Sequence, residues 1–162
     1  MSKSKTKNIG KFFLIVILFS SFLHATNLYQ VGIKNFAKSM QIKKYAPQKA
    51  HEEFKKAVKA FEEFVKKNPQ SSNAYFYLGR LYFNGWGTKQ DYEKAYEYFK
   101  KAYNNGTKKA LCGLLLAAYK SGKSMDQVIK YYNLLQDDSY TLKRCQKKPI
   151  FIKIKEQIKE NK

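Results

Sequence analysis

The stretch from Asn73 to Gly106, NAYFYLGRLYFNGWGTKQDYEKAYEYFKKAYNNG, constrains this chain most, because it holds two apolar-periodic segments joined by a glycine-containing turn. In the first, Ala74, Leu78, Leu81 and Tyr82 fall at i, i+4, i+7 and i+8. In the second, Tyr92, Ala95, Tyr96, Phe99, Ala102 and Tyr103 fall at i, i+3, i+4, i+7, i+10 and i+11. Each segment is a helix with a single apolar stripe. A lone helical hairpin cannot bury both stripes, so the pattern requires hairpins stacked on either side.

Sliding the second segment along the chain finds those neighbours. Phe54, Ala57, Val58, Phe61, Phe64 and Val65 repeat its spacings 38 residues upstream. A downstream shift of 36 carries the first segment onto Ala110, Leu114, Ala117 and Ala118, and the second onto Val128, Tyr131, Tyr132 and Leu135. With 13 tyrosines, 12 phenylalanines and no Val/Ile/Thr-rich alternation through the middle, the composition favours an all-α protein.

The central copy resembles the Sel-one-like repeat, a branch of the tetratricopeptide superfamily with a longer turn inside each hairpin. Ala74, Leu78, Gly79, Tyr82, Gly85 and Gly87, then Asp91, Lys94, Ala95, Tyr98, Lys101 and Ala102, stand where that pattern places them. The upstream copy is closer to an ordinary tetratricopeptide second helix, with Ala57, Phe61 and a closing Asn68-Pro69. The downstream copy has Leu115 or Leu116 for the family glycine and a shorter loop, with Gly122 four residues before Asp126. The resemblance covers roughly Phe54 to Leu135. It implies a right-handed α/α solenoid of about three hairpins, near residues 28–68, 73–106 and 108–136, with a C-terminal cap over 139–160.

Outside that span the residues speak for themselves. Tyr29, Ile33, Phe36 and Ala37 repeat the first-helix spacing and Met40 extends it, predicting a helix from about Leu28 to Lys43. Pro47 pushes Ala46 out of the α region and marks the next helix start. The segment from Ala110 to Tyr119 is apolar nearly all round and belongs inside the array. Asp138-Ser139 cap a short helix reaching Cys145. Pro149 opens a basic terminal helix on Ile150, Ile154 and Ile158; the alternation from Phe151 to Lys155 also fits a strand, although a lone strand has nothing to pair with.

The amino terminus bears on compartment. Lys3, Lys5, Lys7 and Lys11 precede an apolar run from Phe12 to Phe19 and the segment Ser20 to Ala25. This is the layout of a secretory signal peptide over residues 1–25, cleaved after Ala25, for a periplasmic or secreted protein. The alternative is an uncleaved inner-membrane anchor over residues 12–25, since Leu23 is larger than the residue preferred near a cleavage site. Removing residues 1–25 takes four lysines and no acid from the chain, so +16 of the full +20 charge stays with residues 26–162. A basic protein of this size would ordinarily raise nucleic acid as a partner, but export argues against it, so no nucleic acid is expected. Outside the cytosol the available polyanions are acidic proteins, envelope polymers and phospholipid head groups, the last allowing peripheral membrane contact. A bland reading stands beside this one, in which most lysines are solvated surface.

Catalytic constellations are sparse. Ser-x-x-Lys pairs occur only as Ser2/Lys5 and Ser4/Lys7, inside the targeting segment, and after it the chain has one histidine, His51. No cofactor and no metal site is expected. Gly122-Lys123-Ser124 matches the end of a phosphate loop, but Ala117 stands in place of its first glycine and no strand precedes it, so it reads as a turn. Asn105-Gly106-Thr107 fits a glycosylation acceptor, a pattern too short to carry weight. Cys112 and Cys145 are the only cysteines and lie 33 residues apart, close to one repeat, which places them on successive first helices. They are either a disulfide of an exported protein or two buried thiols. Some cysteine-rich relatives in the resembled family are described as penicillin-binding proteins or weak β-lactamases, but Tyr103 stands about where the first cysteine of their pairs would be.

What remains is surface. On the helix from Asn73 to Asn84, the side opposite the stripe presents Phe76, Arg80 and Phe83, with Asn84 at its edge. Aromatics flanking an arginine are the composition of a binding hot spot, unless a neighbouring helix covers them. In the resembled superfamily the first helices line a concave groove that holds a partner peptide. The sequence therefore points to a non-enzymatic protein–protein interaction module of the bacterial cell envelope, holding an acidic peptide or envelope polymer in a basic groove. The alternatives are a weak β-lactam hydrolase or penicillin-binding protein, and charge-driven adhesion to anionic surfaces.

Overall fold

A computed structural model describes residues 27–160; the signal-or-anchor segment lies outside the described residues. Eight helices and no strand occur among them. In chain order they are α1 (27–42), α2 (Pro47–Lys67), α3 (Ser72–Asn84), α4 (Tyr92–Asn104), α5 (Ala110–Lys120), α6 (Met125–Gln136), α7 (Ser139–Cys145) and α8 (Pro149–Glu160). The protein is an all-helical repeat solenoid. Among these residues no helix is long and apolar enough to cross a membrane.

Local chemistry sets the boundaries. Pro47 occupies the first turn of α2, and Ala46 before it is held at φ −137°, ψ 69°, outside the α region. Asn68, before Pro69, ends the same helix in a similar conformation. Asp91 accepts a hydrogen bond from the Lys94 amide, Ser124 from Gln127 and Asp138 from Thr141, so α4, α6 and α7 each begin on a side-chain cap. Gly85 closes α3 in the left-handed conformation at φ 66°.

The apolar stripes meet as their spacing requires. Ala74, Leu78, Leu81 and Tyr82 of α3 are buried against Ala95, Tyr96, Phe99 and Ala102 of α4. The all-apolar α5 sits inside, with Ala110, Leu111 and Leu114 through Ala118 buried between the hairpin before it and α6 to α8 after it. Two helices, α7 and α8, make the cap. In α8 the buried stripe is Phe151, Ile154 and Ile158, with Ile150 only half-buried, because Phe151 stacks on Tyr132 of α6 at 5.7 Å between ring centroids. The strand alternative for this segment is thereby set aside.

Glycines let the two layers approach closely. A Cβ on Gly79 would stand 2.6 Å from the Phe99 ring, and one on Gly113 would meet the same ring from the next hairpin. Gly32 does the same for Phe61. The second-helix phenylalanine thus lies flat on a first-helix backbone that carries no side chain at that point.

The stripe of α1 differs from expectation at one residue. Gly32, Phe36 and Ser39 are its buried positions, Tyr29, Ile33 and Met40 are half-buried, and Ala37 is exposed. With Phe36 packed edge-on to Phe54 and Tyr77, the helix rolls so that Ala37 faces solvent. Ser39 is fully buried in a mostly apolar layer because its hydroxyl donates to the Asn35 carbonyl at 2.7 Å.

Candidate functional site

The odd-numbered helices form one layer. α3 packs on α5 and α5 on α7, while Phe36 of α1 reaches Tyr77 of α3 at 4.9 Å between rings. The even-numbered helices form the other layer, tied to the first by contacts such as the 2.7 Å hydrogen bond that the Tyr82 hydroxyl donates to Glu62. Tyr98 stacks with Tyr75 and tilts against Tyr82 in the same seam, and burial raises the phenol pKa of both Tyr82 and Tyr98. Further along, the Tyr96 and Tyr131 hydroxyls share a hydrogen bond at 3.0 Å.

Charge divides between these layers. All 12 aspartates and glutamates lie outside α1, α3, α5 and α7. The charged residues on those four helices are Lys34, Lys38, Arg80, Lys120, Lys143 and Arg144. Of the 32 basic residues only Arg80 and Arg144 are arginine, and both belong to this layer.

Arg80 is the best-defined element of the face. Its guanidinium lies 4.7 Å from the centroid of Phe36, 5.8 Å from Phe76 and 5.9 Å from Trp86. Trp86 itself stacks on Phe54 at 5.2 Å with 12° between planes, and the Lys43 ammonium sits 4.5 Å over its indole. The Lys109 ammonium lies 4.8 Å over Phe76. Burial holds the Arg80 guanidinium below its ordinary pKa, Tyr77 opposes that shift, and the positive charge of Arg144 adds to it.

The residues expected as a hot spot are brought together in part. Phe76, Arg80 and Phe83 are half-buried rather than freely exposed, because Phe76 and Phe83 lean on Phe99 and Phe83 also meets Tyr92 edge-on at 5.3 Å. Asn84 is exposed, and its side-chain amide donates to the Arg80 carbonyl in its own helix. Sequence reading missed Phe36, Lys43, Trp86, Lys109 and Arg144. One signal was available: Trp86, the only tryptophan, lies between the two turn glycines, where a large exposed ring would be costly unless something received it.

The turn explains why those glycines are needed. Gly87 adopts φ 69° and is buried, and a Cβ there would run into the backbone of Phe54 and Lys55 in α2. The turn thus docks on the preceding hairpin and delivers Trp86 to Phe54 and Arg80. Asp91 completes it, donating its amide to the Tyr82 carbonyl at 3.0 Å while capping α4.

Cys112 of α5 and Cys145 at the end of α7 stand at disulfide distance, with Cα atoms 5.6 Å apart. They lie on two adjacent helices of the same layer, and Arg144 directly precedes Cys145. Elsewhere the smaller motifs take ordinary roles. His51 is exposed in the first turns of α2; Gly122 makes a turn at φ 74° and Ser124 caps α6; Asn105 donates its amide to the Pro69 carbonyl at 3.2 Å while Thr107 is buried. Among the described residues no group of three or more His, Cys, Asp or Glu is placed to hold a metal ion.

The model of the Sel1 repeat family matches residues 72–107, which are α3, its turn and α4. No curated protein and no solved structure matches the chain. Sel1 repeats mediate protein–protein interactions and are typically non-catalytic. With that match on its central hairpin and helical hairpins stacked on both sides of it, the chain carries a Sel1 repeat at residues 72–107 inside an all-helical array.

Proposed function

We propose that the protein is a non-enzymatic scaffold of the bacterial cell envelope that holds an acidic partner segment along the face made by α1, α3, α5 and α7. The observation that carries this reading is the charge division: every carboxylate of the chain lies off those helices, while both arginines lie on them. A solvated charge surface has no reason to sort signs by layer, whereas a surface that receives an anionic chain does. Stacked hairpins also create a long surface without a deep pocket, which suits an extended segment. Export rests on the layout from Lys3 to Ala25.

The test compares two charge reversals of equal size. Arg80→Glu/Arg144→Glu alters the first-helix face, and Lys59→Glu/Lys66→Glu alters exposed positions of α2. Wild type and both variants, each checked for helicity, are used to capture partners from envelope extract in low and moderate salt. Discrete partners lost only in the arginine variant support the scaffold. Capture lost equally in both variants, and abolished by moderate salt, overturns it in favour of adhesion through net charge. Hydrolysis of a chromogenic β-lactam by the purified protein would remove the non-enzymatic part.

A further inference from the structure

We propose that Arg80, framed by Phe36, Phe76 and Trp86, is the carboxylate-reading position of the first-helix face, seating a glutamate or aspartate side chain of an acidic polypeptide.

This rests on the scaffold reading above and adds its chemistry. Three features of the structure converge on Arg80. Its side chain has no hydrogen-bond acceptor and no ion-pair partner among the described residues, although twelve carboxylates are present in the chain. None of its nitrogens is both sealed from solvent and unbonded, so each keeps some contact with solvent. Its guanidinium carbon, by contrast, lies over rings from three different elements, α1, α3 and the turn after α3, at 4.7 to 5.9 Å from their centroids.

A guanidinium held this way has lost most of its rotamer freedom before anything binds. Five N–H donors in a fixed fork match the two oxygens of a carboxylate, and a side chain already immobilised loses less entropy on forming those two bonds. The aromatic frame lowers the local dielectric, which strengthens the contact relative to one made in open water. Lys43 over Trp86 and Lys109 over Phe76 put further positive charge beside the same rings, and Arg144 adds more from α7. A single carboxylate leaves that surplus unmatched, so the occupant is a run of acidic residues.

The residues of this sequence that lie outside the described ones do not supply this occupant. Residues 1–26 contain four lysines and no acid, and residues 161–162 are Asn161 and Lys162. A second copy is disfavoured on charge, since the full chain carries +20. The partner is therefore a different, acidic polypeptide.

Trp86 makes the site directly observable. It is the sole tryptophan and lies 5.9 Å from the guanidinium, so its emission reports what happens at Arg80. The probe is a synthetic octaglutamate peptide, titrated at moderate salt into wild type, Arg80→Lys and Arg144→Lys, all of which keep the charge. The expected result is a saturable change in Trp86 emission, weakened about tenfold in Arg80→Lys, which corresponds to about 1.4 kcal/mol, and weakened less in Arg144→Lys. Equal affinity of Arg80→Lys and wild type, or a silent Trp86 while the peptide binds, overturns this inference and leaves the scaffold reading standing. A drop in melting temperature of Arg80→Lys with unchanged peptide affinity does the same, making Arg80 a packing residue. Failure of octaglutamate to bind at all, with anionic phospholipid vesicles retaining all variants equally, overturns both. Saturation of the Trp86 signal by inorganic phosphate as readily as by the peptide would make Arg80 a free-anion site and overturn the assignment to a polypeptide.

Discussion

Trp86 stacks face to face on Phe54, 5.2 Å between centroids, so the turn of the central hairpin is locked onto the second helix of the hairpin before it. The contact does two jobs at once, since it seals the junction between repeats and places one wall beside Arg80.

Gly87 permits that docking, and Gly87→Ala should undo it. The left-handed φ of 69° already disfavours any side chain, and the new Cβ would meet rigid backbone atoms of Phe54 and Lys55 instead of a side chain that can swing away. A loss of about 3 kcal/mol or more is expected in urea unfolding, with Trp86 emission shifting to the red in the folded baseline. A variant as stable as wild type would contradict the docked turn.

Gly79→Ala presents two opposing effects. Replacing a helix-interior glycine favours the helix by about 1 kcal/mol, whereas forcing a methyl to within 2.6 Å of the Phe99 ring costs about 1–3 kcal/mol. The clash should win, giving net destabilisation. In a Phe99→Leu background the ring is gone and the same substitution should become neutral or stabilising. Additivity of the two changes in a double-mutant cycle would show that the ring and Gly79 do not touch.

Cys112 and Cys145 are expected to be bridged under oxidising conditions. A loop closed across a sequence separation of 33 restricts the unfolded chain enough to contribute about 3–4 kcal/mol. Thermal unfolding with and without reductant should show a lower midpoint in the reduced form. Intact mass after alkylation checks the bridge itself, and two reactive thiols in the native, non-reduced protein would disprove it.

Alkaline pH should unfold the protein through its buried phenols. Burial, then the hydrogen bond and charge of Tyr96, push the Tyr131 pKa up to about 12, and burial followed by the bond to Glu62 raises that of Tyr82 further. A phenol whose folded pKa exceeds its unfolded value of 10.0 leaves stability intact below pH 10. As pH rises from 10 toward 12 the unfolded chain releases its proton first, and stability falls. Helicity followed against pH, together with phenolate absorbance, should show a cooperative loss in that window. Tyr131→Phe should move its midpoint upward. A non-cooperative titration of all tyrosines near pH 10, with helicity retained, would refute the burial of both hydroxyls.

Much of this protein was determined by local sequence. The i, i+3, i+4, i+7 spacing from Phe54 to Leu135 dictates helices with one buried stripe each, because a helix places those positions on one face whatever surrounds it. Pro47, Asp91, Ser124 and Asp138 mark where helices start for reasons contained within a few residues, and the uniform apolarity of Leu111 to Ala118 requires a central position for α5. Tertiary structure decided what periodicity cannot encode. Ala37 fits the stripe of α1 as well as Phe36 does, yet only Phe36 is buried, since its ring alone reaches Phe54 and Tyr77. In α8, likewise, Tyr132 selects Phe151 over Ile150. Above all, the setting of Arg80 draws Phe36 from 44 positions upstream and Trp86 from a turn folded against α2. Those groups share no helix and no spacing, so the stacking of hairpins alone brings them within reach of one another.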